Sequence, residues 1–520
     1  MNRLRAARFL LAVACLGQMA VQASNLDTIG VTLLRSVTTN INGTGISVGQ
    51  AEAGTPYWEV NPGALGVGQP TNLFTFFYGT SPYLSVSTAN TFTNSLGLES
   101  GHADNVAENF YGMSGSAATN VAHVDNYEAN TFVNYYVNHS HSISDRVVNQ
   151  SFVGATDSQS SYDQIYDWYA AQYNTLFVSG IGNGGPVYPP ATCYNGIGVG
   201  AYGGSSSVGP TLDNGRAKPD ITAPADETSF STPQVAGAAA VLMQAGLRAD
   251  GGSDTNSAAD IRTVKALLLN GAIKPADWTN GAASPLDARY GAGVLNVFNS
   301  YKQLAGRRQT NFVSASVSTG AAHPPTKATN TIGVLSGWNF TNLTSSSSLD
   351  TVAHYYFNAT NRVSNATFTA TATLVWNRQQ NQSGINNLHL FLYNAANSNL
   401  VAVCTSAVDN VQHLFVPGLP PGRYDLQVLK TGGSYVSASE TYALAFEFFS
   451  LPLTVVKSGT NIFLKWPVYP AGFVVQSTTN LAPPVVWNSL SNLVATVTNN
   501  QNYVILNATN RNQFFRLQRP

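Results

Sequence analysis

The chain has 520 residues, a length that suggests about two to four domains. Its formal net charge is −1 and only 10% of its residues are charged. That balance offers no basic patch or stripe for nucleic acid or an anionic membrane surface. With 44% hydrophobic residues, 24 Tyr and 24 Phe, it is rich enough to fill several packed cores.

Residues 1–23 read as a secretory signal. Arg3, Arg5 and Arg8 form a positive start, Phe9 to Ala14 begin a short apolar stretch, and Val21-Gln22-Ala23 offers small residues for cleavage. The stretch is too short to span a membrane. A secreted or periplasmic protein is expected, with a lipoprotein anchored at Cys15 as the weaker alternative. Cys193 and Cys404 lie far apart and make no disulfide framework, so two buried thiols are expected.

Residues 24–305 alternate strand-like runs with helical stretches, as an α/β domain does. Strands are expected at Val31 to Val37, Gly45 to Ala51, Val147 to Phe152, Leu176 to Ile181 and Gly196 to Ala201. Helices are expected at Tyr162 to Tyr173, Thr232 to Leu247 and Ala258 to Asn270. Tyr290 to Asn296 reads as a glycine-rich turn feeding a last helix from Val297 to Leu304.

Residues 306–350, rich in Ser, Thr, Asn and Gly, read as a linker running into a first β-edge. Residues 351–450 carry period-two strands with turn punctuation and read as a β-sandwich, with strands from Thr367 to Trp376, Leu388 to Tyr393, Leu400 to Cys404, His413 to Val416, Tyr424 to Leu429 and Tyr442 to Phe449. Residues 451–520 read as a smaller all-β module, with strands beginning near Leu453, Ile462, Phe473, Leu493, Tyr503 and Gln513.

Four segments of the α/β region carry polar groups suited to acyl transfer, which needs a nucleophile, a base, a carboxylate to orient that base, and donors for the oxyanion. Ser229 stands in Asp226-Glu227-Thr228-Ser229-Phe230-Ser231-Thr232-Pro233-Gln234, ahead of an alanine-rich apolar run. A helix start there turns the positive end of its dipole toward the hydroxyl. Glu52 closes the strand-like run Gly45 to Ala51, His102 precedes an expected helix in Ser100-Gly101-His102-Ala103-Asp104, and Asn183 sits between glycines after Leu176 to Ile181. Parallel sheets gather their sites at such strand ends. Asp104, two residues after His102, ranks behind Glu52 as the carboxylate because a helix turns i and i+2 to different faces.

In the order carboxylate, His, Ser, the chain resembles the subtilisin-like serine peptidases (subtilases) over roughly residues 27–305. Lys218-Pro219-Asp220-Ile221-Thr222-Ala223-Pro224 and the serine segment carry the likeness most specifically. It implies a parallel sheet flanked by helices and a secreted endopeptidase acting on protein or peptide substrates. It further implies Ser229 as nucleophile, His102 as base, Glu52 as its orienting carboxylate and Asn183 as oxyanion donor. Val148 to Gly154 resembles the family's substrate-binding strand, which brings in Ser151, Phe152, Val153 and Gly154.

The sequence departs from that family at several points. Glu52 stands in place of an aspartate, Glu227 in place of a glycine, the stretch from Pro224 to Ser229 is short, and the roughly thirty residues between the expected signal cleavage and Glu52 leave no room for the usual propeptide. These departures motivate an alternative: a weak or inactive subtilase fold serving as a secreted binding or adhesion protein. Subtilases often carry structural calcium, but no ligand set can be named here and no cofactor is assigned. The module at residues 351–450 resembles the β-sandwich that follows many bacterial subtilase domains. Aromatics of the C-terminal modules raise glycan contact as a further partner class, although aromatics mostly serve cores.

Overall fold

The computed structural model describes residues 25–518, apart from residues 55, 80–85, 87, 155–158, 312, 328, 361–366, 434–435, 452, 469–470, 491–494, 499–500 and 509–511. The expected signal segment and Cys15 lie outside the described residues.

The chain opens with α1 (Asn25–Thr28) and α2 (Val31–Val37). The strand expected over Val31 to Val37 is therefore a helix. Val31 and Leu34, three apart, are buried together, and Gly30 turns the chain into the helix at a φ of 79°. That spacing is helical rather than alternating.

A mixed eight-stranded sheet follows, built from β1 (Ser47–Glu52), β2 (Phe74–Tyr78), β3 (Asn90–Phe92), β4 (His123–Glu128), β5 (Val147–Gln150), β6 (Leu176–Gly180), β7 (Ile197–Tyr202) and β8 (Ile221–Pro224). Its order is β3-β2-β4-β1-β5-β6-β7-β8, parallel throughout except for the β2–β3 edge hairpin. Sequence reading missed β2, β3, β4 and β8. Three of them are short or mixed in polarity, and β4 buries Asp125, Asn126 and Glu128, which disguises a central strand.

The helices of this unit are α3 (Gly101–Phe110), α4 (Ala129–Thr131), α5 (Gln159–Tyr173), α6 (Thr228–Leu247), α7 (Thr255–Ala258), α8 (Ile261–Gly271) and α9 (Val297–Ala305). The helix expected from Ala258 to Asn270 is two helices, because Asp260 caps α8 by accepting the Arg262 N–H at 2.9 Å. α6 packs against β5 to β8 and α3, and its run from Ser231 to Gly246 is buried all round. Small residues make that possible. At Gly237 an added Cβ would stand 2.8 Å from the Phe110 carbonyl of α3.

The segment read as a linker supplies β9 (Val313–Ser318) and β10 (Ser336–Thr344), one edge strand to each sheet of a sandwich. With β11 (Leu349–Ala359), β12 (Phe368–Trp376), β13 (Leu388–Asn394), β14 (Leu400–Cys404), β15 (Val411–Leu419), β16 (Gly422–Lys430) and β17 (Ser439–Phe449), they form antiparallel sheets ordered β10-β17-β12-β15 and β14-β13-β16-β11-β9. Residues from both sheets meet in one core, including Tyr355, Leu374, Leu390, Leu426 and Phe446.

The boundary near residue 305 does not separate two cores. Trp338, Val375, Val411, Ala443 and Ala445 of the sandwich belong to the same buried cluster as the α/β unit. The remaining strands, β18 (Thr454–Ser458), β19 (Asn461–Pro467), β20 (Val474–Thr478), β21 (Asn488–Ser489), β22 (Thr496–Thr498), β23 (Gln501–Asn507) and β24 (Phe514–Gln518), make two small antiparallel sheets around Leu464, Trp466 and Val504. Cys193 and Cys404 are free and buried. No helix among the described residues is long and apolar enough to cross a membrane.

Candidate active site

The polar residues singled out from sequence meet at the C-terminal rim of the parallel sheet, on either side of β1, where the chain crosses from β4 to β5. Glu52 is the last residue of β1 and only 2% exposed, while the His102 side chain, in the first turn of α3, is 39% exposed. The ring Nδ1 lies 2.9 Å from Glu52 Oε2. As the carboxylate can only accept there, Nδ1 carries the proton and Nε2 faces outward as the basic nitrogen. The hydrogen bond to Glu52 is the largest cause of a raised His102 pKa; burial opposes it, and the charges of Glu52 and Glu227 add to it.

Asp104 faces elsewhere. Its Oδ1 accepts the Asn61 backbone N–H at 2.7 Å, and burial raises its pKa. It has no hydrogen bond to His102 among the described residues.

Ser229 lies in the first turn of α6, which begins at Thr228, four residues before the expected start at Thr232. Pro233 is consequently inside the helix. Having no N–H, it cannot bond the Ser229 carbonyl, as residue i+4 normally would. The Ser151 hydroxyl replaces it, donating to Ser229 O at 2.8 Å, and Ser151 in turn accepts from Asn149 Nδ2 at 3.0 Å. The end of β5 is thereby tied to the serine turn. Ser151 is buried and turned inward, Phe152 is half-buried, Val153 is 44% exposed, and the Gly154 N–H bonds the Pro189 carbonyl at 2.7 Å.

Asn183 is exposed at the rim, and its Oδ1 accepts both the backbone N–H and the hydroxyl of Thr228 at 2.8 Å. A backbone N–H can only donate, so the oxygen must face Thr228 and the NH₂ group turns away. Gly182, at a φ of 101°, permits the bend that presents Asn183. Among the described residues no hydrogen bond takes up the Ser229 backbone N–H, one of the free donors of a helix start. Two donors are therefore available beside the hydroxyl.

One link is open. No hydrogen bond joins the Ser229 hydroxyl to the His102 ring among the described residues. The nearest ring to the imidazole on that turn is Phe230, with centroids 5.8 Å apart. Phe230 also borders a cavity of ≈ 520 Å³, lined in part by Asn105, Glu108, Tyr202, Asp226 and Gln234. Among the described residues no group of three or more His, Cys, Asp or Glu is placed to hold a metal ion.

Sequence reading missed Gln50, Tyr111, Thr228 and Phe230 as neighbours of the site. The signal for Gln50 was a polar residue two places before Glu52, hence on the same face of a strand otherwise apolar or small.

A carboxylate–imidazole pair near a serine at a helix start is a set of groups that serine-type hydrolysis uses. Residues 101–293 match the family model described as "Subtilase family", a family of serine-type peptidases to which that part of the chain is similar. The match includes His102, Asn183 and Ser229 and begins after Glu52. No curated protein matches the chain.

Among solved structures, the serine protease of Aeromonas sobria is 14% identical, with 92% of this chain and 89% of that chain covered at a TM-score of 0.33. Tripeptidyl peptidase 2 is 12% identical over 85% of this chain and 53% of that chain, at a TM-score of 0.33. The psychrophilic subtilisin-like protease Apa1 from Pseudoalteromonas sp. AS-11 is 11% identical over 53% of this chain and 97% of that chain, at a TM-score of 0.35.

Proposed function

We propose that the protein is a secreted serine endopeptidase working through a Glu52–His102–Ser229 triad and an acyl-enzyme. The observation that carries this reading is the 2.9 Å bond from His102 Nδ1 to Glu52 Oε2, which leaves Nε2 as the base toward the α6 start. Ser229 Oγ attacks the scissile carbonyl as Nε2 takes its proton, and the imidazolium formed is stabilised by Glu52. The carbonyl oxygen becomes an oxyanion, held by the Asn183 NH₂ and the Ser229 backbone N–H. His102 returns the proton to the leaving amine, and water then cleaves the ester by the same route in reverse. The backbone from Ser151 to Gly154 receives the extended peptide by strand addition. Hydroxyl–imidazole bonds in such sites are often long and tighten when the acyl group binds, which accommodates the open link.

The test is a fluorophosphonate probe on the folded full-length chain. Labelling at Ser229, lost together with casein cleavage in Ser229→Ala, is the expected result. The open Ser229–His102 link favours one competing reading, an inactive fold that binds rather than cleaves. Folded protein that stays unlabelled at neutral and mildly alkaline pH establishes that reading instead.

A further inference from the structure

The feature that most needs explaining is a glutamate acting on His102 with one more rotatable bond than an aspartate has. We infer that Gln50, held in place by Tyr111, is a positioning residue that fixes the Glu52 carboxylate against His102. The inference rests on the triad reading above.

Gln50 and Glu52 are two apart on β1 and share a face of the sheet. Gln50 is fully buried in a strand flanked by β4 and β5, where a polar side chain is costly unless its groups are bonded. Its amide is fully engaged. Nε2 donates to Glu52 Oε1 at 2.8 Å and to the Ala103 carbonyl at 2.9 Å, and Oε1 accepts from the Tyr111 hydroxyl at 2.6 Å.

The orientation of that amide is fixed from both ends. The Ala103 carbonyl can only accept, so the nitrogen must face it, and the Tyr111 hydroxyl supplies a donor to the oxygen. Burial holds the Tyr111 phenol well above its ordinary titration range, so it stays a donor at any working pH.

The amide joins both partners of the pair. Ala103 follows His102 on α3, so one NH₂ group grips the carboxylate and the helix that carries the imidazole. Among the described residues Gln50 is the only side chain bonding Glu52 Oε1. Without it, the carboxylate keeps a buried, unbonded oxygen and a free rotation that moves Oε2 off Nδ1, and displacements of about 1 Å cost on the order of 10²-fold in rate. A gap-filling role alone predicts lost stability and an unmoved imidazole.

The experiment uses full-length protein and two readouts. In a Ser229→Ala background, the His102 titration is followed by NMR for wild type, Gln50→Leu and Tyr111→Phe. In the active background, kcat and KM are measured against pH. The charges acting on His102 are Glu52 from β1 and Glu227 from the turn before α6, with Asp104 of α3 turned away and Tyr111 behind Gln50; Gln50→Leu leaves all four groups in place and removes the Gln50 bonds to Glu52, Ala103 and Tyr111.

The inference predicts that Gln50→Leu lowers the His102 pKa, moves the acid limb of the rate profile the same way, and lowers kcat on the order of 10²-fold with KM little changed. Tyr111→Phe gives the same signs at smaller size, and carries the test if Gln50→Leu does not fold. A His102 titration unmoved in every variant that folds overturns the inference, whatever happens to stability. A His102 titration that moves in the variants, when the wild type neither labels nor cleaves, upholds the clamp and removes the peptidase reading, so the two fail separately.

Discussion

Three side chains at the site carry separate predictions. Glu52→Gln keeps the shape and removes the charge; kcat is expected to fall about 10⁴-fold, as when a triad carboxylate becomes an amide. Asn183→Ala removes one oxyanion donor and should lower kcat on the order of 10²–10³-fold while KM changes little. Glu227 is exposed, and its charge raises the His102 pKa. The base must be neutral, so activity rises with pH as His102 loses its proton, at a midpoint above the ordinary histidine value. Glu227→Gln should shift that midpoint down, by less in high salt because an exposed charge is screened. A pH–rate profile at low and high salt checks both.

At the scale of elements, the distance between base and nucleophile is set by how α3 lies on α6. The Gly237 crossing leaves no space for a methyl group, since its Cβ would meet the Phe110 backbone oxygen at 2.8 Å. Gly237→Ala should therefore cost about 1–3 kcal/mol by overpacking and lower kcat by moving His102 away from Ser229. Denaturant titration and kinetics read the two effects. Ser151→Ala tests the opposite side of the turn. It leaves the Ser229 carbonyl, already without an i+4 partner because of Pro233, with no donor, and about 1–3 kcal/mol is expected to be lost.

Across the whole molecule, the sandwich is fused to the α/β unit by polar clasps as well as by the shared core. Asn195 donates to the Arg378 carbonyl at 2.9 Å and accepts the Arg378 N–H at 2.8 Å, and Asp409 accepts the Ala217 N–H at 2.7 Å. The Arg378 guanidinium, stacked on Tyr194, pairs with the buried Asp167 at 3.2 Å. Arg378→Ala removes the ion-pair partner of that carboxylate and leaves it the Asn195 N–H at 2.7 Å, at a cost of up to about 3–5 kcal/mol. The two units should unfold in one thermal transition, and a chain ending at residue 305 should not give a folded, probe-reactive protein. Two separate transitions by calorimetry would show that the cores are independent.

The sequence by itself determined the candidate groups: the residue types, their order along the chain, and the strand and helix ends on which Glu52, His102, Asn183 and Ser229 stand. Those are local properties, legible because strand runs, glycines and a helix start are written in consecutive residues. It misread α2, split neither α7 from α8 nor the linker from the sandwich, and overlooked β4, because burial of a polar strand or a short amphipathic helix depends on partners far along the chain. Only the tertiary structure decided that Glu52 rather than Asp104 reaches the imidazole, that Ser151 serves the carbonyl Pro233 leaves free, and that Gln50 lies beneath the pair. Those contacts join residues up to 78 positions apart, and no pattern in neighbouring residues records a distance set by the crossing of two helices over one sheet.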